Sequence, residues 1–462
     1  MSQPDPRRWR LLGLLAVAQF MLILDVTVVA IALPNIETDL HLQRETLTWV
    51  VSAYTLMFGG LMLLGGRAAD LFGARRVVLT GLAVFTLASL VTGLANGPEV
   101  LLGGRVAQGI GAAMLSPAAL SVVTKTFSGT ERNKALGIWS AMGGGGSAIG
   151  VLLGGLLTAG PGWQWVFYIN LPIGLVVFTL LLRMLPAGKP GKPGEQQGRL
   201  DVPGALLVTA GTGTAIYALI NAGDRGWLSV ATLGTLAGAL VLYGVFGWVQ
   251  RSVRSPLMDV RILARRSVAA GTLMILVATA LMISMFFLGS FYLQHFKQYG
   301  ALRTGLLFLP VAVAAIVGAH LAGQLVGKVG ARPIAIAGFL LTAIGVAAPA
   351  LWEGAAVVVS GMAVGTIGLG ASFVASSTTT FAQVDHHEAG LASGILSTFH
   401  EFGASLGVAV VSSVAAASLA GTVTTGFTRG FTFAAVTAAV AAALTLIVVP
   451  SFKPSGEPVH VH

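Results

Sequence analysis

Residues 66–76 read GRAADLFGARR and residues 323–333 read GQLVGKVGARP, so one pattern occurs twice, 257 positions apart. The same shift pairs Gly111 with Gly368, Glu131 with Glu388, Gly137 with Gly394, Gly146 with Gly403 and Gly150 with Gly407. One offset kept over that distance marks an internal repeat, even in a chain with 61 glycines. The surroundings are apolar: 55% of the 462 residues are hydrophobic, 10% are charged, and the mean hydropathy is +0.85. A soluble domain carries about a quarter charged residues. The chain therefore reads as an all-α integral membrane protein.

Runs long enough to cross a bilayer, about 20 residues each, fall near 11–33, 46–66, 77–96, 99–124, 135–159, 165–185, 202–220, 227–249, 268–293, 301–327, 333–352, 355–381, 390–419 and 430–449. The repeat maps the first of these onto the ninth. Each half then holds six spans: residues 1–185 form one bundle and 268–462 the other. Residues 186–267 are an insertion that opens with the polar linker PAGKPGKPGEQQG and carries spans 7 and 8. Such an accessory pair has no repeat counterpart and is expected to pack peripherally. Two parallel six-helix repeats suggest a carrier with its substrate site near the bilayer midplane, between the halves.

The net charge of +10 would suit nucleic acid, but the basic residues lie in short loops between apolar runs. With the N-terminus cytoplasmic, 21 of the 27 Lys and Arg residues fall inside and five outside, leaving Arg105 within a span. Both termini are thus expected in the cytoplasm, and no nucleic-acid partner is expected. Arg7, Arg8 and Arg10 precede a long apolar stretch followed by many more, which reads as an uncleaved first helix rather than a signal peptide. The chain has no cysteine, so disulfides, thiol catalysis and cysteine-ligated metal are excluded. No Walker A sequence and no H-E-x-x-H occurs, which disfavours ATP-driven transport and zinc hydrolysis within this chain. No metal, cofactor or enzymatic activity is expected.

Several stretches resemble the major facilitator superfamily, in particular its fourteen-span drug:proton antiporter branch. LDVTVVAIALPNI at 24–36 is similar to that branch's span-1 signature, GGRAADLFGARR at 65–76 to the superfamily's loop 2–3 motif, and GRVAQGIGAAMLSPA at 104–118 to its span-4 motif. WQWVFYINLPIG at 163–174 resembles the segment entering span 6, with Gln164 where an Arg is usual. GSAIGVLLGG at 146–155 keeps the span-5 glycines Gly146, Gly150, Gly154 and Gly155 but has Val151 where a Pro is placed. Gly327 stands where the second half commonly matches Asp70 with an acid. The resemblance covers nearly the whole chain and implies the major facilitator fold, two six-helix bundles plus two inserted helices.

Of the 17 acidic residues, Asp25 and Glu401 are the two placed well inside spans. An ionisable group there costs about 2.5–3.5 kcal/mol on insertion scales and usually marks an ion or substrate path. Asp25 lies about nine residues inward from Pro34, and Arg105 about seven inward from Pro98, so their depths match at about 1.5 Å per residue. A static ion pair is one reading. The other is a proton carrier tuned by Arg105, the role the resemblance implies for both. Glu401, in FHEFGASLG, has Gly394, Ser397, Thr398 and Ser405 as helical neighbours and reads as polar glue, a cation site or a second proton site. His400 is about 100° around that helix, so a direct His–Glu site is not expected.

Asp70, flanked by Arg67, Arg75 and Arg76 in a cytoplasmic loop with Gly66 and Gly73, reads either as inside anchoring or as a charge-pair latch. The span-5 glycines read as close helix packing, with sliding between the halves as a further role. Cavity-lining candidates are Gln19, Tyr54, Gln108, Ser116, Asn170, Phe286, Phe287, Tyr292 and Phe399.

The expected function is proton-driven export of small amphipathic compounds, cationic ones and drugs among them, across a bacterial cytoplasmic membrane. The expected partners are substrate, protons and membrane lipid. A carrier dedicated to one metabolite, such as a siderophore or self-made antibiotic, is an alternative. A non-transporting receptor or scaffold is another.

Overall fold

The computed structural model describes residues 8–185, 200–253, 255–385, 388–419 and 425–450. The 186–198 linker, and Arg7, Lys189, Lys192, Arg199, Arg254 and Lys453 from the charge count, lie outside the described residues. The helices are α1 (Arg8–Leu40), α2 (Arg44–Phe72), α3 (Ala74–Gly93), α4 (Pro98–Thr126), α5 (Gly129–Ala159), α6 (Trp165–Tyr168), α7 (Asn170–Met184), α8 (Val202–Arg225) and α9 (Val230–Ser252). They continue with α10 (Arg266–Phe291), α11 (Ala301–Val329), α12 (Ala331–Leu351), α13 (Ala355–Phe381), α14 (Ala389–Val414), α15 (Ala416–Leu419) and α16 (Thr425–Val448). A π-helical turn, Tyr292–Phe296, extends α10. Among the described residues, thirteen helical spans are long and apolar enough to cross a membrane. The glycine-rich α5, 31 residues long, contains a shorter apolar stretch, Gly145–Ala159, in place of the remaining expected span. The protein is a multi-pass membrane protein.

The packing repeats with the sequence. In the first set α1 packs on α5, α4 on both α2 and α3, and α7 on α3. In the second, α10 packs on α14, α13 on both α11 and α12, and α16 on α12. Ion pairs repeat as well: Arg8 with Glu131 at 2.7 Å, and Arg265 with Glu388 at 2.5 Å, each joining the first helix of its set to the fifth. Hydrogen bonding to Glu388 raises the Arg265 guanidinium further above its ordinary value. The sets meet through α2 on α14 and α5 on α11, the same two surfaces exchanged. Across this seam α8 packs on both α2 and α14, with α9 against α8. The accessory pair therefore bridges both sets from outside rather than hanging on one.

The repeated GAR sequence has a local cause. Gly73 and Gly330 link α2 to α3 and α11 to α12 with φ of +90° and +86°, where an L side chain would be strained. The arginine two positions on then reaches the end of the last helix in its set. Arg75 donates to the Leu182 carbonyl at 2.9 Å, and Arg332 donates to that of Leu446. Cations there satisfy carbonyls left free at a helix C-terminus. Of the arginines flanking Asp70, Arg75 is thus held by α7. Asp70 instead faces Lys125 of α4 at 3.7 Å, while Arg67 and Arg76 are exposed.

Candidate functional site

Asp25 lies on the α1 face turned into the first set, and no solvent reaches it or Arg105. Their ion pair joins α1 to α4. Asp25 Oδ1 also accepts from Gln108 Nε2 at 3.1 Å and from Asn170 Nδ2 at 3.2 Å. Both amides reach Ser89 Oγ of α3, at 2.8 and 3.4 Å. Arg105 donates through Nη1 to Gln108 Oε1 at 3.0 Å and through Nε to the Val50 carbonyl at 2.8 Å. Its guanidinium lies 4.4 Å from the centre of the Tyr54 ring, a cation–π contact on α2. Five helices thus close a polar network around one carboxylate, as a buried charge requires.

Glu401 belongs to a different setting. α14 packs on α10 through Gly403 and Gly407, on α2 through Ser405, and on α8 through Ser413. The accessory helices therefore cover the outside of α14, and the face between α10 and α2 turns inward. His400 is on that inner face at mid-helix, with its side chain 40% exposed, and Phe373 of α13 is 6.0 Å away, ring to ring. Contrary to the helical-angle argument, His400 Nδ1 and Glu401 Oε1 are 3.2 Å apart. The two residues flank one inward face, and the Glu401 side chain spans the angle between them. A Cβ on Gly59 of α2 would fall 2.7 Å from the Glu401 Cβ, so only glycine admits α14 there.

The structure redistributes the cavity candidates. Tyr54, Gln108 and Asn170 are fully buried in the Asp25 network and line no opening. Phe286 stacks edge-on against Phe308 at 5.3 Å, Phe287 lies 4.8 Å from Phe291, and Tyr292 meets Phe427 at 5.6 Å, all in apolar core. Phe399 packs with Phe246, Ala392 and Ile395 on the accessory-helix side. Gln19 and Ser116 remain partly exposed. α10 is apolar all round, so no sequence period marks which of its aromatics turn inward. Ser89 and the Val50 carbonyl carried no sequence signal at all, being an ordinary small residue and a backbone group. Residues 403–407, GASLG, match G-x-S-x-G only formally. They are mid-helix, with Ser405 Oγ bonded to Thr55 Oγ1 at 2.5 Å, whereas a nucleophile elbow needs a strand-to-helix turn.

The span-5 glycines divide between two partners. Gly146, Gly150 and Gly154 face Ile23, Thr27 and Val28 of α1. Gly155 faces α11, where an added Cβ would meet the Ala301 carbonyl at 2.8 Å. At that same end Asn35 Nδ2 donates to Gln294 Oε1 at 3.0 Å, Gln294 Nε2 donates to the Ile31 carbonyl at 2.9 Å, and His295 Nε2 lies 3.5 Å from Glu37 Oε2. The sets are therefore bound together at the end away from the 66–76 loop. Toward that loop most side chains of α11 are exposed, Ala322 and Val326 excepted, and among the described residues nothing lies within 4 Å of a Cβ added at Gly323 or Gly327.

A family model described as Major Facilitator Superfamily matches residues 15–408. The chain belongs to this superfamily. Among curated relatives, puromycin resistance protein pur8 of Streptomyces alboniger is 36% identical, over 90% of this chain and 84% of that one. Cephamycin export protein CmcT of Amycolatopsis lactamdurans is 37% identical, over 89% and 85%. Multidrug resistance protein Stp of Mycobacterium tuberculosis is 35% identical, over 89% and 77%. A solved bacterial homolog of the human lysosomal transporter Spinster shares the fold with a TM-score of 0.70 at 18% identity, covering 96% of this chain and 97% of that one. An auto-inhibited POT family peptide transporter shares it with a TM-score of 0.66 at 17% identity, over 97% and 99%. This superfamily member is a transporter and not an enzyme.

Proposed function

We propose that this transporter is a proton-coupled antiporter exporting amphipathic organic compounds, cationic ones among them, across a bacterial cytoplasmic membrane by alternating access. Residues 1–185 and 268–462 are the two moving bodies, 186–267 their linker and accessory pair, and both termini are cytoplasmic. The contacts at the Asn35–Gln294 end, with the opposite end of α11 exposed, support a state open to the cytoplasm.

One observation carries the coupling: the two intramembrane carboxylates sit on opposite faces of α2. On one face Tyr54 and the Val50 carbonyl hold Arg105 against Asp25. On the other, Gly59 and Thr55 meet Glu401 and Ser405. A proton and Arg105 compete for the Asp25 carboxylate. Taking up the proton frees the guanidinium to shift against α2, and α2 passes that shift to its seam with α14. Glu401 and His400, on the inner face, are placed to meet a cationic substrate. The names of pur8, CmcT and Stp support small organic substrates.

The test is transport in reconstituted vesicles under an imposed pH gradient, screened across dyes and antibiotics, with substrate-induced proton release measured on the purified protein. Efflux that follows the gradient, with protons released on substrate addition, is expected. Transport indifferent to the gradient would overturn the coupling. The puromycin and cephamycin relatives favour a second reading, export of one antibiotic, which predicts a single strong substrate in the same screen.

A further inference from the structure

Asn170 opens α7 at the break after α6, and it is fully buried. Its Nδ2 donates to Asp25, yet its Oδ1 is a buried acceptor with no hydrogen-bond partner among the described residues. Orphaned buried acceptors are rare in native folds and call for an explanation. The network supplies one when its donors and acceptors are counted.

As drawn, Asp25 receives only donors: Arg105 on Oδ2, and the Gln108 and Asn170 amides on Oδ1. That set suits a carboxylate. A protonated Asp25 carries a hydrogen that needs an acceptor of its own. In this structure Gln108 Oε1 accepts from Arg105 Nη1, and Ser89 Oγ accepts from both amides and donates to the Phe85 carbonyl. The acceptor left over is Asn170 Oδ1. Turning the amide by half a turn exchanges Oδ1 and Nδ2 almost without change of shape. The carbonyl then faces Asp25 Oδ1, while the Ser89 hydroxyl keeps donating to the Phe85 carbonyl and accepting from Gln108. In either orientation one end of the amide is bonded and the other is not, so both charge states of Asp25 are served alike. The charged and titratable groups around this site are Arg105 of α4, Tyr54 of α2 and, across α2, Glu401 of α14. Arg105 only donates, Tyr54 donates its hydroxyl to the Leu22 carbonyl, and Glu401 lies across α2.

We propose that Asn170 is a positioning residue for proton coupling. Its NH2 donates to the Asp25 carboxylate, and after a half-turn its carbonyl accepts the proton of the neutral acid. The proton comes from bulk water and returns to it, and no other bond changes. The inference rests on Asp25 as the proton carrier.

Two variants of equal shape separate this role from packing. Asn170→Thr keeps a group that both donates and accepts, whereas Asn170→Val keeps neither. Proton-driven efflux in vesicles should fall about tenfold in Asn170→Val, the worth of one buried hydrogen bond, and stay within about threefold of wild type in Asn170→Thr. A pH-difference infrared spectrum of purified, asparagine-labelled protein should show a carboxyl band that is lost in Asp25→Asn. An asparagine amide band should titrate with it and vanish in Asn170→Thr. Equal efflux from the Thr and Val variants, or a carboxyl band with no amide band following it, overturns the Asn170 role while leaving Asp25 in place. No carboxyl band lost in Asp25→Asn overturns the proton-carrier reading beneath it. The wild-type spectrum keeps the test decisive if Asn170→Val does not fold.

Discussion

Asp25 and Arg105 are each hidden from solvent, so removing one strands whatever charge the other keeps. Breaking a buried pair from one side costs about 3–5 kcal/mol, because desolvation of the survivor is no longer offset. Arg105→Ala should therefore lower stability by about that amount, read as a fall in thermal unfolding temperature in detergent. Asp25→Asn should be destabilised less than Arg105→Ala, since the amide is nearly isosteric and its carbonyl still accepts from Arg105, which offsets part of the cost of the unpaired guanidinium. It should nevertheless lose proton-driven efflux. Equal destabilisation by both would mark the pair as a structural clamp only. Both charges were legible in the sequence, because a charge in an apolar span cannot be incidental. Gln108 and Asn170 were visible as polar residues but misassigned to the cavity, since a neutral amide does not announce which face of its helix it serves.

Between elements, glycine decides where helices touch. Gly155 of α5 and Gly305 of α11 lie against each other's backbone at the end that holds the two sets together, and a Cβ on Gly305 would meet the Val151 carbonyl at 2.5 Å. A larger residue at Gly155 cannot be accommodated without parting α5 from α11 there. Gly155→Val is expected to shift the protein toward the state open at that end, at about 1–3 kcal/mol of overpacking. A water-soluble thiol reagent reports it: Asn35→Cys should react several-fold faster in the Gly155→Val background, about tenfold for each 1.4 kcal/mol of shifted equilibrium. An unchanged rate would mean that this crossing does not gate the opening. The glycine pattern was legible because close approach restricts residue type. The partner of each glycine was not, since Gly154 and Gly155 are neighbours in sequence and serve different helices.

At the scale of the molecule, one offset of 257 orders the chain: it relates Gly73 to Gly330, Arg75 to Arg332, and the Arg8–Glu131 pair to Arg265–Glu388. The fold was therefore legible, because each of these sites is fixed by geometry within its own six-helix set. The state of the transporter was not, because the same residues serve every state and only contacts between distant segments change. Orientation lies between these extremes. It rests on loop charge, a statistical property of insertion rather than a contact, and it decides which way substrate moves. The lack of native cysteine makes it directly testable, since any introduced thiol is the sole one in the chain. Phe72, the last residue of α2 within the 66–76 segment, is 55% exposed, and Leu228, in the turn between α8 and α9, is 86% exposed. A membrane-impermeant maleimide on intact cells should label Leu228→Cys and leave Phe72→Cys unlabelled, with the pattern reversed in inside-out vesicles. The opposite pattern would place the 66–76 loop outside, and the end bound by Asn35 and Gln294 would then face the cytoplasm.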